Sequence, residues 1–432
     1  MDTSVRARRL NESSATEVAK MVAAGEARCE DVVRACLERI AEREPAVGAW
    51  QHLDPDHAIA QARALDRAGV RGPLHGVPFG IKDIIDTHDM PTGYGSPIYA
   101  GHRPVADAAC VALSRKAGGI LMGKTVTTEF ANRYPGKTRH PRDSRRTPGG
   151  SSSGSAAAVG DHMVPLAIGT QTTASTIRPA AFCGCVGYRP TWSDLRMHGV
   201  REAAGSLDTL GLIARSVGDV ALYRDVLLRN APQPIAAPPA RLRVGFCRTH
   251  LWRLVDPVYQ SRLEDAAQRL ARAGAAVADV DLPAEFERIE DAHRWISSFE
   301  FSRNFTHEIE HHWEKISAAL RNGRLKDGLG CSIERYVEAR SFAETLRLKL
   351  DAIFADYDVL MAASADGEAP LGLDSTGNAA FCAIWTTMHV PAITLPAFTG
   401  SNGLPLGLQL IARRNGDRRM FAAASEVWRV LC

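Results

Sequence analysis

One lysine and two serine-rich turns are of the residue types that can cleave an amide bond. Lys82 lies in residues 76–86, an apolar, β-rich segment flanked by glycine and proline that reads as a buried strand. Because burial disfavours a charged amine, Lys82 is predicted to have a lowered pKa and to serve as a base. The serine-rich turns follow at 149–155 and 170–176. A serine hydroxyl needs such a base to attack a carbonyl, and the departing amine needs an acid.

A structural ion pair is the simpler explanation of Lys82 taken alone. Asp83 and Asp86 lie close enough in sequence to neutralise its charge. The two serine turns favour the catalytic interpretation. No Gly-x-Ser-x-Gly nucleophile elbow with a convincing histidine partner stands out in the sequence, so a lysine base takes the place of the usual histidine.

Residues 118–125 match the phosphate-loop pattern of Gly, four residues, then Gly-Lys-Thr. Such a loop needs small or polar residues whose N–H groups can turn toward an anion, whereas Ile120, Leu121 and Met122 favour the core of a strand. We therefore expect a core strand followed by an ordinary turn at this position.

A zinc-hydrolase motif is the more serious rival. His307 and His311 are one helical turn apart in His-Glu-Ile-Glu-His, and Glu334 or Glu338 would have to supply a third ligand. The helix around them is charged on several sides, and a solvated polar face explains the histidines without a metal. Zinc hydrolysis is kept as an alternative, and no metal is expected.

Several segments in a fixed order resemble the amidase signature family of serine hydrolases, namely 76–87, 118–130, 148–160 and 169–191, with a supporting piece at 403–407. The resemblance covers most of the chain and is weakest from 231 to 335. Ordered motifs of this kind are far more specific than one short pattern. The resemblance implies hydrolysis of a linear amide through an acyl-enzyme, with release of ammonia or an amine and without a cofactor.

The resemblance also assigns the catalytic roles. Ser175 would be the nucleophile, and Ser151 would pass protons between Ser175 and Lys82. In the family the bridging serine stands next to a cis peptide bond, and Gly149 and Gly150 make such a backbone feasible here.

The oxyanion hole is expected to use backbone N–H groups of Thr172, Thr173, Ala174 and Ser175. The family commonly has two glycines just before its nucleophile, and this chain has Thr173-Ala174 instead, which leaves the geometry of the hole open. Gln171 replaces a common acidic residue, as in a subgroup of the family that reads Gly-Thr-Gln-Thr.

Within that subgroup, residues 149–160 and 177–182 look most like malonamidase-like members. Arg178 could then pair with a carboxylate of a short substrate amide, and Gln171 and Ser152 are the other predicted substrate contacts. An Arg178 bonded only to loop carbonyls is the alternative of equal weight.

Other substrates and roles stay open. The family also acts on carbamates and urea-like compounds, and its signature does not reveal pocket size. Thr386, with its neighbours Trp385 and Met388, either walls the acyl site or packs the core. The chain could instead be the amide-cleaving subunit of a tRNA-dependent amidotransferase, which passes ammonia to a partner and is usually longer. An idle binding module is a further alternative because the Thr173-Ala174 departure could have damaged the oxyanion site.

Helix and strand patterns alternate along the chain, and strands at both ends suggest one shared sheet. With the resemblance, this predicts a single large α/β domain with a central mixed β-sheet surrounded by α-helices. Its predicted regions are N-terminal helices at 1–70, the signature core at 71–230, a variable and mostly helical region at 231–340, and the C-terminal part of the core at 341–432.

Composition points to small-molecule chemistry. The 52 basic and 49 acidic side chains leave a formal net charge of +3, too weak a field to suggest nucleic acid or membrane partners. The expected partner is a small-molecule amide, and relatives allow a homodimer. The nine cysteines are odd in number and widely spaced, which favours reduced thiols. No apolar stretch follows Arg6, Arg8 and Arg9, so a cytoplasmic location is expected.

Overall fold

A mixed sheet of eleven strands forms the centre of the computed structural model, which describes residues 10–432. The strands lie in the order β1-β3-β2-β4-β6-β5-β10-β11-β9-β7-β8. Their bounds are β1 Trp50–Leu53, β2 Pro78–Lys82, β3 Ile120–Thr125, β4 Leu166–Gln171, β5 Val186–Arg189, β6 Thr209–Ala214, β7 Arg243–Cys247, β8 Ala276–Val280, β9 Val359–Ala363, β10 Ala392–Thr399 and β11 Pro405–Ile411.

Fifteen α-helices of the described chain accompany this sheet. They are α1 Ala15–Ala23, α2 Cys29–Val47, α3 Pro55–Ala68, α4 Ala109–Lys116, α5 Ser153–Gly160, α6 Ile177–Cys183, α7 Val217–Leu227, α8 Pro257–Arg272, α9 Ile289–Asn304, α10 Thr306–His312, α11 Ala318–Leu320, α12 Lys326–Leu329, α13 Ile333–Ile353, α14 Ala380–Thr387 and α15 Asp417–Leu431. None of the helices in residues 10–432 combines the length and apolar character needed to cross a membrane.

Parallel pairing at one part of the sheet positions the chemical groups. Strand β2 lies between β3 and β4 and runs parallel to both. Every residue of β2 and β4 is buried, as expected for strands covered on both faces. Because parallel strands end at the same edge, Lys82 at the end of β2 lies beside Thr170 near the end of β4.

The predicted fold class, a single large α/β domain with a mixed sheet, is confirmed. The region assigned to N-terminal helices also supplies β1, and the mostly helical region 231–340 supplies β7 and β8. Residues 1–9 of the predicted first region, including the N-terminal arginines, lie outside the described residues. The boundaries of the four regions stay a prediction, since one sheet takes strands from all of them.

Candidate active site

Lys82 is fully buried and hydrogen-bonded to two hydroxyl groups. Its Nζ donates to Ser151 Oγ at 2.6 Å and to Thr170 Oγ1 at 2.7 Å. Burial lowers the pKa of Lys82 to about 7, against the opposing effect of the Asp208 carboxylate. A large fraction of this amine is therefore neutral near pH 7 and able to accept a proton.

The ion-pair explanation of Lys82 does not hold in the structure. Asp83 accepts hydrogen bonds from the N–H of Gly93 at 3.2 Å, and Asp86 accepts one from the Tyr94 hydroxyl at 2.7 Å. Within residues 10–432, no carboxylate forms a salt bridge with Lys82. Both aspartates thus serve the loop that follows β2.

A glycine turn brings Ser151 against the turn that carries Ser175. Gly149 and Gly150 have φ values of 83° and 42°, in the left-handed region that favours glycine. A Cβ on Gly150 would lie 2.9 Å from the Pro179 ring and 3.1 Å from Ser175 Cα. The expected cis bond beside Ser151 is absent, since peptide bonds throughout residues 10–432 are trans. The chain instead turns through these two left-handed glycines.

Ser175 lies in the turn between β4 and α6 and is half-buried. Its backbone packs on Gly150, next to the proposed proton relay. Within the described chain, no hydrogen bond joins Ser175 Oγ to Ser151 Oγ. The structure therefore joins Lys82 directly to Ser151 and places Ser175 alongside through its backbone.

The side chain of Gln171 organises the turn after β4. Its Oε1 accepts hydrogen bonds from the N–H groups of Thr176 and Ile177, each at 3.0 Å, and its Nε2 donates to Thr386 Oγ1 at 3.0 Å. Thr386 Oγ1 in turn donates to the carbonyl of Thr173 at 2.8 Å. The predicted substrate contact of Gln171 is thus corrected, because its carboxamide is buried and bonded to the protein.

Ser152 and Arg178, the other two predicted substrate contacts, also bond to the protein. The buried Ser152 hydroxyl donates to the carbonyl of Thr170 and accepts from its N–H, both at 3.2 Å, which fixes the end of β4 instead of meeting substrate. Arg178 donates from Nη1 to the Gly377 carbonyl and from Nη2 to Thr376 Oγ1, both at 3.0 Å. Its buried Nε has no protein partner, and burial lowers the pKa of Arg178 to about 10. These contacts match the loop-holding alternative.

His293 and Thr386 contact the predicted oxyanion turn from distant elements. His293 lies on α9, and its Nε2 donates to the Thr172 carbonyl at 2.9 Å, with Thr173 Oγ1 at 3.3 Å. Burial lowers the pKa of His293 to about 4, so the imidazole is neutral near pH 7. Sequence reasoning missed His293 because it lies where the family resemblance is weakest, whereas Thr386 was a candidate wall residue.

The phosphate-loop match is a buried strand, as predicted. Lys124 lies in β3, where every residue is buried, and its Nζ donates to Thr92 Oγ1 at 2.7 Å and to the Ile85 carbonyl. The lysine that would contact phosphate is therefore held inside the protein.

The zinc motif does not assemble a ligand set. His307 and His311 lie on α10 with ring centroids 4.8 Å apart, but no group of three or more possible metal ligands in residues 10–432 includes either of them, or Glu334 or Glu338. Glu308, the would-be base, is fully buried and accepts hydrogen bonds from Tyr99 and Arg201, both at 2.5 Å. The motif thus holds a loop in place.

Comparisons with known proteins agree with this geometry. Residues 31–421 match the family described as Amidase. The first subunit of the glutamyl-tRNA(Gln) amidotransferase from Acidothermus cellulolyticus is 35% identical over 482 residues, covering 94% of this chain and 92% of that protein. A solved amidase structure superimposes with a TM-score of 0.88 at 27% identity, covering 97% of this chain and 100% of that one. The peptide amidase PAM, in complex with the competitive inhibitor chymostatin, gives a TM-score of 0.83 at 29% identity and 97% coverage of both chains.

These relatives support the family and not the finer likeness to malonamidase-like members. The family match spans most of the sequence and includes Lys82, Ser151 and Ser175. The chain belongs to the Amidase family.

Proposed function

We propose that the protein hydrolyses a carboxamide through an acyl-enzyme on Ser175, with Ser151 and Lys82 as the proton relay. The observation that carries this proposal is the 2.6 Å hydrogen bond between Lys82 Nζ and Ser151 Oγ in a fully buried setting. Burial that keeps an amine partly neutral supplies the base that two serine hydroxyls lack.

The reaction begins with two linked proton transfers. Neutral Lys82 takes the proton of the Ser151 hydroxyl while Ser151 takes that of Ser175, whose Oγ attacks the carbonyl carbon. As the tetrahedral intermediate collapses, the protons return through Ser151 to the leaving nitrogen, and ammonia or an amine departs. Water, activated by the same relay, then releases the carboxylic acid and restores Ser175.

The negative oxygen of the intermediate needs donors already in place. Gln171 occupies the N–H groups of Thr176 and Ile177, so the candidate donors are the N–H groups of residues 172–175. Thr173 and Ala174 are the favoured pair because the carbonyls of Thr172 and Thr173 are held by other side chains.

The relatives favour the amidotransferase alternative over a stand-alone enzyme acting on a short carboxylate-bearing amide. The relative from Acidothermus cellulolyticus belongs to a glutamyl-tRNA(Gln) amidotransferase and matches nearly the whole of both chains. We therefore propose, as the first cellular role to test, that this chain releases ammonia for a partner subunit. The solved amidase and peptide amidase support a stand-alone hydrolase as the second candidate. A homodimer stays a prediction.

The chemistry is tested by ammonia release from aliphatic, aryl and carboxylate-bearing amides, amino-acid side-chain amides and a carbamate. Wild type is compared with Ser175→Ala and Lys82→Met, with and without a metal chelator. Chelator-resistant turnover that both substitutions abolish supports the proposal. Chelator-sensitive turnover that survives Ser175→Ala would transfer the chemistry to a metal and refute it.

The cellular role needs a separate experiment. The chain is expressed in its native host with an affinity tag, co-purifying proteins are identified, and the preparation is assayed for amidation of glutamyl-tRNA(Gln). Amidation that requires both a stable partner and Ser175 supports the subunit role. Full turnover of a free amide by the isolated chain, with no amidation by the purified assembly, favours the stand-alone hydrolase.

A further inference from the structure

Two consecutive carbonyls of the oxyanion turn are held by side chains from separate helices. His293 on α9 donates to the Thr172 carbonyl at 2.9 Å. Thr386 on α14 donates to the Thr173 carbonyl at 2.8 Å. Both donors are buried, so each bond is shielded from competition with water.

Holding a carbonyl also aims an N–H group. In a planar trans peptide the C=O and the following N–H point in opposite directions. His293 therefore directs the Thr173 N–H away from α9, and Thr386 directs the Ala174 N–H away from α14. These are the two N–H groups favoured as oxyanion donors.

We propose that His293 is a positioning residue for the oxyanion hole, which holds the Thr172 carbonyl so that the Thr173 N–H faces the negative oxygen of the intermediate. This inference rests on the proposed function, because it assumes that Ser175 is the nucleophile. It assigns to α9, in the part of the chain with the weakest family resemblance, a role in the rate of the chemical step.

The second contact of His293 explains how this chain uses its threonine at 173. Thr173 Oγ1 lies 3.3 Å from His293 Nε2, a contact that a glycine at that position could not make. The imidazole thus touches both residues that flank the peptide it orients. A residue that merely filled space would not need its nitrogen aimed at the turn.

The test uses a fluorophosphonate probe, whose reaction with Ser175 forms an oxyanion without requiring the natural substrate. The maximal labelling rate kinact and the probe concentration for half-maximal rate KI are measured for wild type, Ser175→Ala, and three variants of His293. Glutamine places an amide N–H near the position of Nε2, asparagine carries the same amide but is one methylene too short, and alanine removes the donor. Ile296→Ala is the matched control, since Ile296 is buried on α9 in a separate apolar cluster with Ala339 and Ala343.

We expect His293→Ala and His293→Asn to lower kinact by about 10- to 100-fold with little change in KI, within the range for a disturbed oxyanion donor. His293→Gln should recover most of the rate, and Ile296→Ala should keep the wild-type kinact although it loses thermal stability. If the alanine variant does not fold, the glutamine and asparagine pair still decides the question.

Equal kinact values for wild type, glutamine and asparagine variants would overturn the inference, as would a slowing by Ile296→Ala that matches His293→Asn. Wild-type protein with no Ser175-dependent labelling would instead refute the proposed function and the inference with it. The two failures are therefore distinguishable.

Discussion

Replacing the buried Lys82 with methionine is expected to abolish Ser175 chemistry and yet to stabilise the protein at low pH. Burial lowers the pKa of Lys82 to about 7, so at pH 6 the folded protein holds a charged amine away from water. Methionine has a similar length and no charge. The perturbation therefore removes the base and its desolvation cost together.

The magnitude follows from proton linkage. The pKa of Lys82 is lowered from 10.5 to about 7 on folding. At about 1.4 kcal/mol per pH unit, this gap destabilises the fold by about 5 kcal/mol below pH 7. Between pH 7 and 10.5 the unfolded chain binds more protons than the folded one, so stability rises with pH, and above 10.5 the cost is gone. Losing the hydrogen bonds to Ser151 and Thr170 costs about 2 to 3 kcal/mol at every pH.

The difference between the two effects sets the expected result. Lys82→Met should be about 2 to 3 kcal/mol more stable than wild type at pH 6, nearly equal to it at pH 9, and less stable above pH 10.5. Urea unfolding followed by tryptophan fluorescence at several pH values measures this. Lys124→Met is the matched control, because burial lowers the pKa of Lys124 only to about 8. It should show a smaller gain and keep fluorophosphonate labelling.

Activity should follow the same titration. Ser175 labelling in wild type is expected to reach half its plateau near pH 7 and to fall about tenfold for each pH unit below that, because only neutral Lys82 accepts a proton. A Lys82→Met variant less stable than wild type at pH 6, or labelling independent of pH between 5.5 and 9, would refute the assignment of a neutral lysine base.

Three further substitutions test the turns around the site. Gly150→Ala places a Cβ 3.1 Å from Ser175 Cα at a φ of 42°, so ammonia release should fall by about 100-fold or more while wild-type-like circular dichroism shows that the fold persists. Gln171→Glu removes the donor to Thr386, whose only proton is already used, and should lower the free energy of unfolding by about 1 to 3 kcal/mol, measured by urea unfolding. Arg178→Ala should lower thermal stability and reduce turnover of anionic and neutral amides equally, since its two bonds go to a loop; a selective loss on anionic amides would instead restore its predicted substrate contact.

The sequence predicted the elements that carry their own local signals. Lys82 is an isolated charge in an apolar strand, and Ser151 follows two glycines that only a sharp turn requires, so both were identified before their contact was known. Strands β5 and β6 were not predicted, although they lie near the middle of the sheet order. They follow short turns without alternating polarity, and every residue of both is buried, so the usual period of two is missing.

The contact of His293 with Thr172 could not have been predicted in the same way. It joins residues 121 positions apart, and a lone histidine on a helix is most simply a packed or solvated residue. Only the folding of α9 across the end of β4 gives this imidazole a specific partner. The same holds for Arg178, whose sequence position beside the nucleophile suggested substrate, whereas its partners are residues 376 and 377.

The geometry that the Thr173-Ala174 departure left open can now be argued from the backbone. Glycine is required where φ is positive, and neither Thr173 nor Ala174 is among the residues with positive φ. Side chains at these positions therefore impose no left-handed strain on the turn. The orientation of their N–H groups is set by the carbonyl bonds from His293 and Thr386, and not by the freedom of glycine. The alternative of an idle binding module thus loses the observation that motivated it, because an oxyanion hole anchored in this way does not need two glycines.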